Sequence, residues 1–179
     1  MTEGGPGPEE AERVRGYLLA QGTKYSWEEL WPRIVGTGAA LIDSLAGVSD
    51  EQGSWEPGTD EGEEAWGITQ IVRHVISAGD STLSSTEALA NGKRPPERDP
   101  DDLKHKTLSD LMPDLIDSSE RLATIRSRVP DEPNMTETSP HNFFGELTSK
   151  AWFLFLRVHD TDHLNQINAV KEMDGYPTR

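Results

Sequence analysis

The stretch of sequence that decides the fold spans residues 148–173 and reads TSKAWFLFLRVHDTDHLNQINAVKEM. An α-helix turns by about 100° per residue, so side chains three or four positions apart share one face. That face would carry Trp152, Phe155, Leu156, His159, His163, Gln166, Ile167 and Val170. Gly175 and Pro177 then give the signals that end a helix. The pattern predicts a long helix whose mainly apolar face lies in the protein core.

Three further segments show the same helical period and are predicted to be helices over about residues 26–48, 65–90 and 108–129. No segment shows the sustained alternation of a β-hairpin. Four long amphipathic helices predict an all-α fold, a four-helix bundle with long connecting loops. Residues 1–10, rich in Gly, Pro and Glu, are predicted to be a disordered tail, and residues 11–179 a single domain.

Two of these helices begin with the spacing of a capping box. Ser26 with Glu29 opens the first, and Thr107 with Asp110 opens the third. Pro32 argues against an uninterrupted first helix, because proline cannot donate the helical hydrogen bond, and we expect a kink or a restart there.

The connections between the helices are predicted to be long loops, among them residues 49–65 and 130–147. The loop over residues 49–65 contains seven acidic residues and no Lys or Arg. It is either a solvated acidic loop or a rim that repels anionic ligands, and we favour the first interpretation.

Composition excludes several kinds of partner. The chain has 17 Lys and Arg against 32 Asp and Glu, a net charge of −15, which repels nucleic acid and anionic membrane surfaces. It has no Cys, so disulfides, thiolate ligands and a cysteine nucleophile are excluded. No signal peptide or membrane-spanning run is visible. The sequence therefore predicts a soluble protein of the cytoplasm, with no nucleic acid or membrane partner.

Two histidines interrupt the apolar face of the last helix. His159 and His163 are four residues apart, so their rings point the same way and could share one ion. Burying imidazole costs free energy unless each ring nitrogen finds a partner. A metal site and a pair of hydrogen-bonded core histidines both satisfy that need. Gln166 could bind a ligand in a pocket or bond a neighbouring helix.

Other histidines and acids are weaker candidates. His74 lies at the edge of the apolar stripe of the second helix, where a lone histidine is more often exposed than a ligand. His141 could reach the mouth of a site or only help the chain enter the last helix. Either Asp160 or Asp162 could orient a histidine ring, or both could be solvated or pair with Arg157, and His105 is expected to be exposed.

Three pieces of the sequence together resemble the DinB-like superfamily of helical-bundle metalloproteins. Residues 66–75 are similar to its second helix, which begins near a Trp and carries one His. Residues 141–148 are similar to its His-Pro-x-x-Gly-x-Leu-Thr entry to the fourth helix, although Asn142 replaces the Pro. Residues 152–167 are similar to the fourth helix itself, with HxxxH followed by Gln-Ile, although Ala151 stands where Glu is common.

The resemblance implies that His74, His159 and His163 together bind a divalent metal ion, zinc or nickel being expected. Characterised relatives include bacillithiol-using thiol transferases and a mycothiol-dependent maleylpyruvate isomerase. A metal-dependent thiol transferase acting on a small-molecule substrate is therefore implied, and without Cys the thiol must be an external cosubstrate. The alternatives are a metal-dependent hydrolase and a non-enzymatic, metal-binding or structural bundle.

A homodimer is also predicted. Phe153, Leu154, Val158 and Leu164 lie off the main apolar stripe of the last helix. They give that helix more apolar surface than one bundle face needs, and a second copy of the chain could cover it.

Overall fold

A computed structural model describes residues 5–58, 62–97 and 103–178 of the chain. Its helices are α1 (Pro8–Lys24), α2 (Trp27–Ser44), α3 (Asp50–Ser54), α4 (Ile68–Ala90), α5 (Leu108–Ala123) and α6 (Ser149–Lys171). Single 3-10 turns span Glu63–Ala65 and Ile125–Ser127. An antiparallel hairpin of β1 (Ser139–His141) and β2 (Gly145–Leu147) pairs Pro140 with Glu146. The prediction of an all-α fold is confirmed.

Four of these helices form the predicted bundle. Helix α6 packs most extensively against α4 and α2, and α5 closes the bundle by contacting both of those helices. Helix α1 lies outside the four and packs along α6. This arrangement places His159 and His163, which interrupt the apolar face of α6, directly opposite α4.

The capping signals read from the sequence are present. The Ser26 side chain accepts from the backbone N–H of Glu29, whose carboxylate accepts from the N–H of Ser26. Thr107 and Asp110 form the equivalent pair at the start of α5. Of the kink or restart expected at Pro32, the restart does not occur, because α2 continues through this residue.

Structure is also present in segments predicted to be a tail or loops. Helix α1 begins at Pro8, inside the segment predicted to be a disordered tail, whose residues 1–4 lie outside the described part. The predicted loop over residues 49–65 contains α3, which is stabilised by its own capping box from Ser49 and Gln52. The loop over residues 130–147 contains the short hairpin, which is too short to show a strand pattern.

Helix α5 ends six residues before the predicted boundary of 129. Ile125 and Val129, which extended the apolar period, are buried beyond the helix end. The apolar period correctly predicted that these two side chains are buried, but it wrongly predicted that they lie in a helix. A tight 3-10 turn also returns side chains to the core.

The apolar surface that motivated the dimer prediction is largely covered within one chain. Phe153 and Leu154 are buried, and the Phe153 ring meets Trp27 of α2 with centroids 5.0 Å apart. Leu154 lies against residues of α1 and α2. The homodimer stays a prediction that has lost most of this support. None of the described helices combines the length and apolarity needed to cross a membrane.

Gly67 offers a direct test of the packing that leads into α4. A Cβ at this residue would lie 2.4 Å from the backbone oxygen of Trp55, whereas a Cβ at Gly36 would meet nothing within 4 Å. We expect Gly67→Ala to lower the free energy of unfolding by about 1–3 kcal/mol through overpacking. Gly36→Ala should be neutral or stabilising by up to about 1 kcal/mol. Urea melts that give both variants equal stability would contradict this packing.

Candidate metal centre

The structure brings His74, His159 and His163 together across the α4–α6 contact. The ring centroids are 5.0 Å apart for His74 and His159, 4.8 Å for His74 and His163, and 4.4 Å for His159 and His163. One nitrogen from each ring lies within 4.8 Å of the other two. His159 and His163 are buried and His74 is half-buried. His74 is therefore not the solvent-exposed histidine that its position on the stripe allowed.

Neighbouring side chains fix the orientation of both α6 histidines. Nδ1 of His159 lies 3.1 Å from Oδ1 of Asp160. Nδ1 of His163 lies 2.9 Å from Oε1 of Gln166, whose Nε2 donates to the backbone oxygen of Glu63. The amide oxygen of Gln166 can only accept, so Nδ1 of His163 carries the proton, and Nδ1 of His159 carries it when Asp160 is ionised. Each ring is then left with a lone pair on Nε2, as a metal ligand requires.

The separation of the ring nitrogens fits a bound ion. Nε2 of His74 and Nε2 of His159 are 2.9 Å apart, a distance at which one nitrogen must carry a proton when no cation separates them. Nitrogen ligands of a tetrahedral zinc ion lie about 3.3 Å apart, given Zn–N bonds of about 2.0–2.1 Å. These two nitrogens would need to move apart by only a few tenths of an ångström to hold one ion between them, and the third ligand nitrogen, on His163, lies within 4.8 Å of both.

Burial keeps His159 in the neutral form that coordination requires. Desolvation, together with the charge of neighbouring His163, lowers the pKa of His159 to about 3. A protonated imidazole cannot ligate, so this ring is available at any pH near neutrality.

Asp160 lies beside the triad in the protein interior. It is 6% exposed, and burial raises the pKa of its carboxyl group to about 7. Of the two sequence interpretations, a solvated carboxylate and one that orients a ring, the structure supports the second. A cation held by His159 would favour the ionised carboxylate, which in turn makes the imidazole a better ligand.

Two aromatic rings pack against the triad. Trp66 lies nearly parallel to His163 with centroids 6.5 Å apart and also contacts His74 at 5.2 Å. The Phe155 ring lies 5.3 Å from His159. The sequence showed Trp66 only as part of the family resemblance, and its position eight residues before His74 gave no hint of ring contact.

The triad lies on the wall of a cavity of about 890 Å³. His141 and Asp162 also line this cavity. Two basic and four acidic residues are on its wall, so the charged lining is net negative in the absence of a metal ion: Lys93, Arg94, Glu63, Glu137, Glu146 and Asp162.

Two residues considered from the sequence lie elsewhere. Gln166 is not among the described residues that line the cavity, so it acts on the site by holding His163 and not as a pocket residue. His105 is exposed and is not part of the histidine cluster found in the described ranges.

A helical bundle with three histidines converging from two facing helices defines a class of candidate metalloproteins. A sequence model of the DinB superfamily matches residues 33–167, which include all three histidines. The chain belongs to the DinB superfamily, as the resemblance predicted. No curated protein matches it.

Proposed function

We propose that this protein binds a divalent metal ion, zinc or nickel, through His74, His159 and His163 and transfers an external low-molecular-weight thiol to a second small molecule. The observation that carries the proposal is the convergence of three ring nitrogens on the wall of a large cavity. A catalytic metal needs three protein ligands and an open position, whereas a structural metal is closed by four.

The size of the cavity supports a reaction between two molecules. Small-molecule sites occupy roughly 300–1,000 Å³, and about 890 Å³ is near the upper end of that range. A cosubstrate thiol and its acceptor could lie in this space together, with the thiol sulfur next to the triad. Holding both reactants in one geometry removes much of the entropic cost of their encounter.

The residues around the triad suit the activation of a thiol. A divalent ion bound there would lower the pKa of a coordinated thiol and hold it as the thiolate. Three neutral imidazoles leave the charge of such an ion uncompensated, and Asp160 and Gln166 keep the α6 rings in position. Trp66 and Phe155 pack against His74 and His159 and so limit the movement of these rings. The chain has no Cys, so the reacting thiol must enter from solution.

The same site could activate water, which is the second candidate function. Nothing about three imidazoles distinguishes thiol from water as the nucleophile. A non-enzymatic bundle that only holds or stores metal is the third candidate, and the open cavity beside the triad counts against it.

A rate assay with a chromogenic electrophile separates these candidates. Purified protein loaded with zinc or nickel is mixed with 1-chloro-2,4-dinitrobenzene and, in turn, cysteine, glutathione and N-acetylcysteine. We expect at least one thiol to be conjugated about tenfold or more faster than with the H74A/H159A/H163A variant. His105→Ala, which removes an exposed histidine, should retain the full rate.

Two outcomes contradict the proposal. Rates equal to those of the triple variant with every thiol would remove the transferase assignment. Metal-dependent hydrolysis of 4-nitrophenyl acetate without thiol, combined with no thiol conjugation, would assign the site to water activation instead.

A further inference from the structure

A cluster of aromatic side chains surrounds His141 in a second part of the same cavity. The His141 ring is stacked on Phe144 with centroids 4.7 Å apart, and it lies 4.5 Å from Phe155 and 5.1 Å from Trp152. Half-exposed Phe143 completes the cluster at 6.1 Å. All five rings line the cavity. We refer to them as the aromatic subsite.

The backbone fixes which nitrogen of His141 carries the proton. Nδ1 accepts hydrogen bonds from the backbone N–H groups of Phe143 at 3.2 Å and Phe144 at 3.4 Å. Burial, and to a lesser extent the charge of His159, lowers the pKa of His141 to about 4, so the ring is neutral near pH 7. A neutral ring whose Nδ1 accepts must carry its proton on Nε2. Nε2 makes no hydrogen bond with the described residues and is not one of the fully buried unpaired atoms, so it is open to a molecule in the cavity.

Trp152 adds a second unpaired donor to the cluster. Its Nε1 is buried and makes no hydrogen bond with the described residues. Buried N–H groups are nearly always paired, and an exception calls for a missing partner. Trp152 Nε1 is thus a buried donor with no acceptor among the described residues, and the neighbouring Nε2–H of His141 can donate to a molecule in the cavity.

We propose that the aromatic subsite binds a flat, uncharged part of the substrate, an aromatic or conjugated group bearing a carbonyl, whose oxygen accepts from Nε2–H of His141. Aromatic walls favour planar groups through stacked and edge-on contacts. A neutral donor matches a neutral carbonyl, whereas a buried carboxylate facing only neutral donors would retain a large desolvation cost.

The subsite is close enough to the triad for its occupant to react there. Phe155 contacts both His141 and His159, with centroid distances of 4.5 and 5.3 Å. One aromatic ring therefore connects the two parts of the cavity. The inference that the thiol acceptor binds in this subsite rests on the proposed function. As a binding site for a carbonyl compound, the subsite does not need the metal.

The test uses two matched fragments and a chelator. Binding of acetophenone, which has the carbonyl, and of ethylbenzene, which lacks it, is titrated on the full chain by ligand-observed NMR. We expect the native protein to prefer acetophenone by about three- to tenfold, the effect of one hydrogen bond. His141→Asn keeps an acceptor near the position of Nδ1 but removes the Nε2 donor, so this preference should disappear.

His141→Gln provides the matched control, because its amide N–H reaches close to the position of Nε2. This variant should keep a measurable preference for acetophenone. Equal binding of the two fragments by the native protein would overturn the proposal, as would an unchanged preference in His141→Asn. Water, and not a substrate carbonyl, would then be the partner of Nε2. The chelator keeps metal out of this titration, so a failure of the thiol-transfer assay would not change what the fragment binding shows.

Discussion

Replacing either His159 or His163 with Ala is expected to weaken the binding of zinc or nickel by roughly a hundredfold or more. Zinc sites with four protein ligands bind with about 10–16 kcal/mol, so each ligand accounts for a few kcal/mol, and about 1.4 kcal/mol is tenfold. His74→Ala should have nearly the same effect, since Nε2 of His74 already meets Nε2 of His159 at 2.9 Å. Competition titration against a chromogenic chelator measures each affinity.

The fold should survive these changes. The stability of the bundle comes mainly from its two apolar clusters, which contain none of the three histidines. Helical circular dichroism should therefore be unchanged. His105→Ala is the matched control, and it should bind metal as the native chain does. Unchanged affinity in the triple variant would show that the histidines are only hydrogen-bonded core residues.

Asp160→Asn should lower metal affinity by about 10- to 100-fold without removing a ligand. Loss of a partner that orients a metal-binding histidine typically has an effect of this size. The amide oxygen of Asn can still accept from Nδ1 of His159, so the change isolates the negative charge. Asp117→Asn alters an exposed carboxylate on α5 and should have no effect. If Asp160→Asn bound metal as tightly as Asp117→Asn, the negative charge of Asp160 would have no role in metal binding.

Asp160→Asn should weaken metal binding, but it should make the metal-free protein more stable. The pKa of Asp160 is about 7 in the folded chain against an ordinary value of 3.8, so the folded state binds more protons between these values. The protonated carboxyl group of Asp160 therefore stabilises the folded state fully below pH 3.8, and this stabilisation is lost as the pH rises through about 7. Relative to the native protein, Asp160→Asn should gain on the order of a few kcal/mol between pH 4 and pH 8. Urea melts with a chelator at both values measure the difference.

The fold was predictable because α2, α4, α5 and α6 each keep a clear apolar period and carry local start or stop signals. The sequence could not show those parts of the structure that depend on contacts between distant segments. Helix α1 has a weakly apolar composition, and its position is set by its packing along α6. The burial of Val129 beyond the end of α5 has the same origin.

The candidate site was predictable in its residues but not in its surroundings. Spacing placed His159 and His163 on one face, and only the family resemblance joined His74 to them. The proton positions of the rings, the burial of Asp160 and the aromatic surroundings of His141 depend on contacts between distant segments. A periodic pattern carries no information about such contacts, because it reports which face is buried and not what that face meets.

The most direct test of the three-histidine site is anomalous diffraction from crystals of the zinc-loaded protein. We expect one strong peak between α4 and α6, with a ring nitrogen of His74, His159 and His163 each about 2.0–2.2 Å away. A fourth position should face the cavity. A peak bound elsewhere, or a His74 ring turned to solvent in the loaded protein, would contradict the proposed centre.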